Sequence, residues 1–357
     1  MTLSQAGDRE SEMLLCRVSA LEEQKEMLQT GHHASISPAR RGWWIPSLLL
    51  ALGGALLFPF PMQGRGWNAV FDIAHAPSFF LATLALAMLL DPTFTIGIPA
   101  RALVTLSPRR FLAIAILVAL LGAVFELAQR FVGRSMSVSD AMANSAGALS
   151  AALLVCSRRQ SGRSRRMLFV SASATLLMMP LVEPILELQE VIRARKEFPL
   201  IASFERDREL KPWQSFTADL TRSDEWASSG NFSLKMLPVG NQAFMNVLMA
   251  WPPGNWSEYH SLKFHVRNAG SETVKMQLHL GDWQHTQTGY EPGDRFRREF
   301  LLPPQEATPI SISIREIERG SGGRLLNMRS VSFLNVVFEK KNDLVVFIDD
   351  LKLFRTE

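Results

Sequence analysis

Five windows in the N-terminal half of the chain are apolar over a length that a folded soluble core seldom needs. They run from Trp43 to Phe60, Ala69 to Leu90, Phe111 to Gln129, Val138 to Cys156 and Met167 to Leu186. A bilayer core takes about 20 mostly apolar residues per helix, within a working range of roughly 17–25. The windows therefore predict an α-helical transmembrane bundle of about five spans over residues 43–186. Whole-chain composition conceals this. With 357 residues, 47% hydrophobic and 20% charged, the chain looks like an average soluble protein. The average is made of a strongly apolar part and a polar remainder. The fourth window is rich in Gly, Ala and Ser, the residues that let helices pack closely in lipid.

Basic residues in short loops set the orientation of such a bundle. Arg40 and Arg41 precede the first window, and Arg101, Arg109 and Arg110 separate the second from the third. Arg158, Arg159, Arg163, Arg165 and Arg166 separate the fourth from the fifth. The intervening loops are poorer, with Arg65 in one and Arg130 and Arg134 in the other. The arginine-rich loops share a side, expected to be the cytoplasm. Residues 1–42, which lack the apolar core of a cleaved signal, then form a cytoplasmic segment, and the first span acts as the internal signal. Residues 187–199 read as a helical stalk, and residues 200–357 as an extracytoplasmic domain. The expected location is the plasma (inner) membrane, with several passes. If the fifth window were a surface helix, the C-terminal domain would return to the cytoplasm.

Polar residues interrupt three of the windows at one depth. Asp72 and His75 lie in the first turns of the second, Glu126 and Gln129 in the last turn of the third, and Asp140 and Asn144 in the first turns of the fourth. At 1.5 Å per residue each is within about 10 Å of the outer end of its helix. Spacings of three and four put each set on one helix face, with Gly147 a turn beyond Asn144. An acidic side chain at the bilayer centre costs about 2.5–3.5 kcal/mol, so these acids call for partners, and Arg130, Arg134 and His75 are the nearest in sequence. Two readings follow: a buried network that fixes helix packing, or an outward-facing polar pocket for an anionic or sugar-bearing headgroup. Asp72, His75, Glu126, Gln129, Arg134, Asp140 and Asn144 are the pocket candidates.

The stretch FELAQRFVGRSMSVSDAMANSAGALSAAL, from Phe125, resembles the signature of VanZ-like membrane proteins. That signature is E-x-x-Q, then an Arg, then D-x-x-x-N-x-x-G, here Glu126, Gln129, Arg134, Asp140, Asn144 and Gly147. The family's upstream Asp-Lys-x-x-His-Phe is matched at Asp72 and His75, while Ile73 replaces the Lys and Ala76 the Phe. The departure removes a cation. The resemblance covers about residues 43–156. Its namesake is associated with low-level resistance to the glycopeptide teicoplanin, which implies action at the cell envelope and no particular reaction. A lipid-linked envelope precursor or a glycosylated lipid is the ligand such a pocket would suit.

Residues 200–357 alternate short apolar runs with turn residues: SLKFHVRN, VKMQLHLGD, RFRREFLLP, ISISIREI, VSFLNVVFE and LVVFIDDLKLF. Period-two alternation punctuated by Gly, Pro, Asn and Asp predicts an antiparallel all-β jelly-roll sandwich. The order of these runs, closing on FIDDLKLF, resembles galactose-binding-like jelly rolls, including carbohydrate-binding modules. Sugar faces stack on aromatic rings while hydroxyls need donors and acceptors. GDWQHTQTGYEPGDR, expected as one loop, offers Trp283, His285, Tyr290 and Asp294 as glycan-binding candidates, with Gln287 beside them. Trp213, Trp226 and Trp251 are others, and Trp256 is expected in the core. Asp349 and Asp350 read as a solvated pair at a strand end, a structural calcium being the alternative.

Two cysteines, Cys16 and Cys156, exclude a disulfide framework in the C-terminal half, and no CxxC spacing exists. No metal or other cofactor is expected. Nucleophile elbow, HExxH and phosphate-loop patterns are absent from the sequence. The arginine run at 158–166 has no interleaved aromatics, which argues against nucleic acid. The expected function is binding or modulation of a lipid-linked or glycosylated envelope molecule, with a polysaccharide as a further partner of the sandwich. The alternatives are a membrane-embedded enzyme acting on a lipid headgroup, with a carboxylate as base beside His75, and a bundle that only anchors the sandwich.

Overall fold

The computed structural model describes Ser47 and residues 64–90, 107–132, 137–289, 291–341 and 343–356. The first expected span, Trp43 to Phe60, lies outside the described residues apart from Ser47, as do Arg40, Arg41, Arg101, Arg134 and Tyr290. The described residues divide into two units. One is built on Ala74–Leu181, and the other on Val182–Glu357 with the preceding turns up to Ile73.

The first unit is helical. Its elements are α1 (Arg65–Leu90) from Ala74 onward, α2 (Pro108–Ala128), α3 (Val138–Ser157) and α4 (Arg163–Met178). After a 3-10 turn at Met179–Leu181 the chain continues as α5 (Val182–Glu197). Four described helices are long and apolar enough to cross a membrane: Arg65–Leu90, Pro108–Phe131, Val138–Ser157 and the continuous stretch Arg163–Glu197. Local chemistry sets the starts. Ser107 caps α2 by accepting from Arg110 N (3.4 Å), with Pro108 following it. Ser137 caps α3 by accepting from Asp140 N (3.1 Å), which leaves an acid in the first turn where the helix dipole favours it.

Small residues then let α3 reach its neighbours. A Cβ on Gly147 would stand 2.1 Å from the Ala76 carbonyl oxygen of α1, and one on Gly122 of α2 would stand 2.7 Å from the Phe79 ring. Ser150 and Ser173 each give a hydroxyl hydrogen to the other's backbone carbonyl (both 2.8 Å), tying α3 to α4. Phe79, Leu86, Phe111, Ile114, Val118, Ala148, Ala151 and Val155 fill the space between α1, α2 and α3. The outward side chains are apolar too, with Leu81 62% and Leu120 60% exposed.

The second unit is an antiparallel β-sandwich. Its strands are β1 (Leu200–Ala202), β2 (Trp213–Gln214), β3 (Ala218–Ser223), β4 (Ser233–Pro238), β5 (Phe244–Ala250), β6 (Ser261–Asn268), β7 (Val274–Asp282), β8 (Phe296–Leu302), β9 (Glu306–Ser313), β10 (Val331–Glu339) and β11 (Val346–Phe354). One sheet runs β3-β4-β11-β6-β9, with β1 also paired to β11, and the other runs β2-β5-β10-β7-β8. The core between them contains Trp256, expected there, with Phe264, Met276, Leu278, Val336 and Phe338.

Two strands change parity in mid-course. In β11 the core takes Val346 and Ile348, then Leu351 and Leu353. A register shift between Asp349 and Lys352, with Asp350 at φ 57, absorbs the odd residue. β10 does the same between Val331 and Phe333. Asp349 is consequently not the solvated member of a pair. It is fully buried and accepts from Ser228 N (2.7 Å), Ser229 N (3.1 Å) and Asp350 N (2.8 Å), while burial pushes its carboxyl above the ordinary range.

Two expected strand or loop segments are helical. ISISIREI stays extended only to Ser313; α7 follows it (Ile314–Arg319), because Ile314 and Ile317, three apart, bury on one face. The run after Gly281 is not one loop, since α6 (Trp283–Gln287) begins at Asp282, whose side chain accepts from His285 N. Helix α5 is joined to this unit by charge. Arg206 contacts Glu190 (2.9 Å), Glu197 (2.9 Å) and Glu209 (3.2 Å), and Arg65 contacts Glu187 (2.7 Å).

Candidate functional site

In the helical unit the polar residues of three helices gather through hydrogen bonds and one longer histidine–carboxylate approach. His75 on α1 is buried, and its Nδ1 stands 2.9 Å from Asn144 Oδ1 on α3. Its other ring nitrogen, Nε2, is 3.8 Å from Asp140 Oδ2. At the end of α2, Glu126 accepts from Gln129 Nε2 (3.3 Å) and from the Ser137 backbone amide (3.5 Å). Ser137 is also the cap of α3, so Glu126 and Asp140 meet at one helix N-terminus. Glu126, Gln129 and Asn144 are all buried.

Of the expected partners, His75 stands near Asp140. Arg130 is exposed, and Arg134 lies outside the described residues. Gln129 Nε2 and the Ser137 backbone amide donate to Glu126, an acid for which the sequence reading offered arginines. Asp72 is one turn before His75 on α1 and half-buried.

In the sandwich, Asp282 at the end of β7 organises the second group of candidates. It is fully buried. Its carboxylate receives Arg324 through two nitrogens (both 2.6 Å), the Asn327 amide (2.7 Å) and the His285 amide (3.1 Å). Burial opposes its ionisation, but these four donors outweigh it and hold the carboxyl below the ordinary range. Arg324 also takes Asp294 (2.6 Å), whose carboxyl it lowers in turn. His285 is fully buried, 3.7 Å from Asp294 and 5.3 Å ring to ring from Phe333; burial lowers its pKa, and Asp294 only partly offsets that. Trp283 remains half-buried and pairs with Trp251 at 5.5 Å between ring centroids. Trp213 is buried, and Tyr290 lies outside the described residues. Sequence reasoning missed Asp282 and Arg324. The Asp was legible as a helix cap before WQHT; the Arg, 42 positions on, carried no local signal.

No family model matches the chain. No curated protein matches it. Among solved structures, the C-terminal sandwich is similar to parts of carbohydrate-active proteins. An exo-β-agarase has 14% identity and a TM-score of 0.36, over 44% of this chain and 25% of its own. The family 11 carbohydrate-binding module from Clostridium thermocellum, in complex with a mixed-linked tetrasaccharide, has 14% identity and a TM-score of 0.32, over 43% of this chain and 94% of its own. The family 30 module of a Clostridium thermocellum cellulosomal cellulase has 14% identity and a TM-score of 0.31, over 41% and 92%. The chain thus spans about a quarter of the agarase it matches.

Proposed function

We propose that this chain is a VanZ-like multi-pass membrane protein of the cell envelope. In this reading the helical bundle holds the headgroup of a lipid-linked envelope precursor or a glycosylated lipid in a polar pocket. The sandwich, on the extracytoplasmic side, binds glycan. The observation that carries the reading is the polar chain His75–Asn144–Asp140 with Glu126 and Gln129, buried among helices whose outer surfaces are apolar. A bundle that is apolar outside and polar at one interior level suits lipid around it and a polar guest within it. Ionisable groups so placed mark binding pathways more often than plain anchors. For the sandwich, the half-buried Trp251–Trp283 pair supplies the aromatic surface that sugar rings stack on.

Native mass spectrometry of the full chain in detergent tests the pocket. A retained polyprenyl or glycosylated lipid is expected, lost in Asp140→Asn and Glu126→Gln proteins that keep their helical content. Wild-type protein that carries no such lipid, or variants that carry it undiminished, would remove the pocket reading. A reporter enzyme fused after Glu357 tests the sidedness, and activity confined to the cytosol would reverse it.

A further inference from the structure

The outer face of the five-stranded sheet carries polar groups that the fold leaves unanswered. On β7 the core takes Met276, Leu278 and Leu280, and on β10 it takes Leu334, Val336 and Phe338. Strand alternation therefore turns His279 and Asn335 away from the core. Pairing places His279 opposite Asn335 on one side and opposite Arg297 of β8 on the other, while Asn335 also faces Leu248 of β5. One row across the sheet thus reads Leu248, Asn335, His279, Arg297.

Although it faces outward, His279 is only 6% exposed, and neither ring nitrogen has a hydrogen-bond partner among the described residues. Among the described residues Asn335 Oδ1, in register with it, has none either, nor has the Nε of Arg295, which directly precedes β8. A buried polar atom left unsatisfied is destabilising, and these atoms sit on adjoining residues of one face. The local charge is positive. Burial first, then Arg295 and Arg297, hold His279 at about 4, so its ring is neutral at pH 7. Arg297 has Glu299 beside it at 3.0 Å, whereas no carboxylate pairs with Arg295 among the described residues.

We propose that this row is an anion subsite that takes the carboxylate of an acidic sugar, a uronate within a polysaccharide laid on the outer face of the sheet. The proposal rests on the glycan-binding reading of the sandwich and names the class of glycan. Arg295 and Arg297 hold the carboxylate, as guanidinium groups do. Neutral His279 donates from one ring nitrogen and accepts at the other, and Asn335 Oδ1 accepts from a sugar hydroxyl. A uronate offers the anion and the hydroxyls on one ring. A neutral sugar lacks the first and inorganic phosphate lacks the ring.

Calorimetric titration of the full chain in detergent with polygalacturonate, a neutral galactan and inorganic phosphate separates these cases. Polygalacturonate is expected to bind about tenfold or more tightly than galactan, the equivalent of at least one lost charge-assisted contact. Replacing both Arg295→Gln and Arg297→Gln is expected to remove that preference at an unchanged thermal midpoint. Arg315→Gln, an exposed cation on α7, is expected to leave it intact. Equal binding of the two polysaccharides would overturn the uronate subsite and leave glycan binding standing. Binding of neither would overturn both. Phosphate binding as tight as that of polygalacturonate, or an undiminished double variant, would overturn the assignment of these residues to a sugar carboxylate.

Discussion

Asn144 Oδ1 lies 2.9 Å from His75 Nδ1, joining α1 to α3 where both side chains are buried. The same ring has its other nitrogen 3.8 Å from Asp140 Oδ2. It therefore sets helix packing and site chemistry together.

Replacing Asn144 with Ala strands the His75 donor in the helix interior. An unsatisfied buried group of this sort costs about 1–3 kcal/mol. Thermal unfolding in detergent, followed by circular dichroism, is expected to show a lowered midpoint for Asn144→Ala. Asn144→Asp, which keeps an oxygen beside Nδ1, is expected to recover much of the loss.

At Gly147 even a methyl group has no room, since its Cβ would meet the Ala76 carbonyl at 2.1 Å. Backbone must move to admit it, at a cost of roughly 1–3 kcal/mol for overpacking. Gly147→Ala is expected to lower the thermal midpoint. Gly162→Ala, where an added Cβ meets nothing within 4 Å, is the matched control and is expected to change it far less.

The pH dependence of sandwich stability is expected to carry a His279 signature. Its folded pKa, about 4, lies below that of an unfolded histidine, because burial and the neighbouring Arg295 and Arg297 disfavour the imidazolium. The unfolded chain therefore binds the extra proton first. Stability contributed by neutral His279 is complete above the unfolded pKa, near 6.5, and declines as pH falls toward about 4, by up to roughly 3 kcal/mol. Urea midpoints measured across that window should fall more steeply for the wild-type protein than for His279→Phe. Parallel curves would mean the ring titrates normally.

Asp282 and Arg324 form a buried pair that anchors α6 to the strand before it. Removing one partner of such a pair typically costs about 3–5 kcal/mol. Arg324→Met is expected to destabilise by that order and to free Trp283, read as a shift in tryptophan fluorescence. The Asp282 carboxyl is depressed in the fold, so its contribution is present above the ordinary carboxylate range and lost as pH falls below it. Arg324→Met should therefore lose its disadvantage in strong acid.

Much of the architecture could be read from periodicity. SLKFHVRN, VKMQLHLGD and VSFLNVVFE coincide with β6, β7 and β10 end to end, because a strand with one face in the core writes its burial every second residue. The apolar windows likewise found α2 and α3, since a helix surrounded by apolar contacts needs no other signal. The helices α6 and α7 were not legible as such. Each is less than two turns long, too short for a period to declare itself, and each starts directly at the end of a strand.

For the candidate sites, sequence alone determined which residues share a helix face or a sheet face: His75 with Asp72, Asn144 with Asp140, His279 with Gln277. That follows from the geometry of one element, 3.6 residues per turn or two per pleat. Tertiary structure alone decided who answers whom across elements. It gave His75 to Asn144 over a separation of 69 residues and Asp282 to Arg324 over 42, and set His279 near two cations with no hydrogen-bond partner among the described residues. Such pairings depend on register shifts and on how closely a glycine lets two backbones approach, and these are properties of packed neighbours that no single segment encodes.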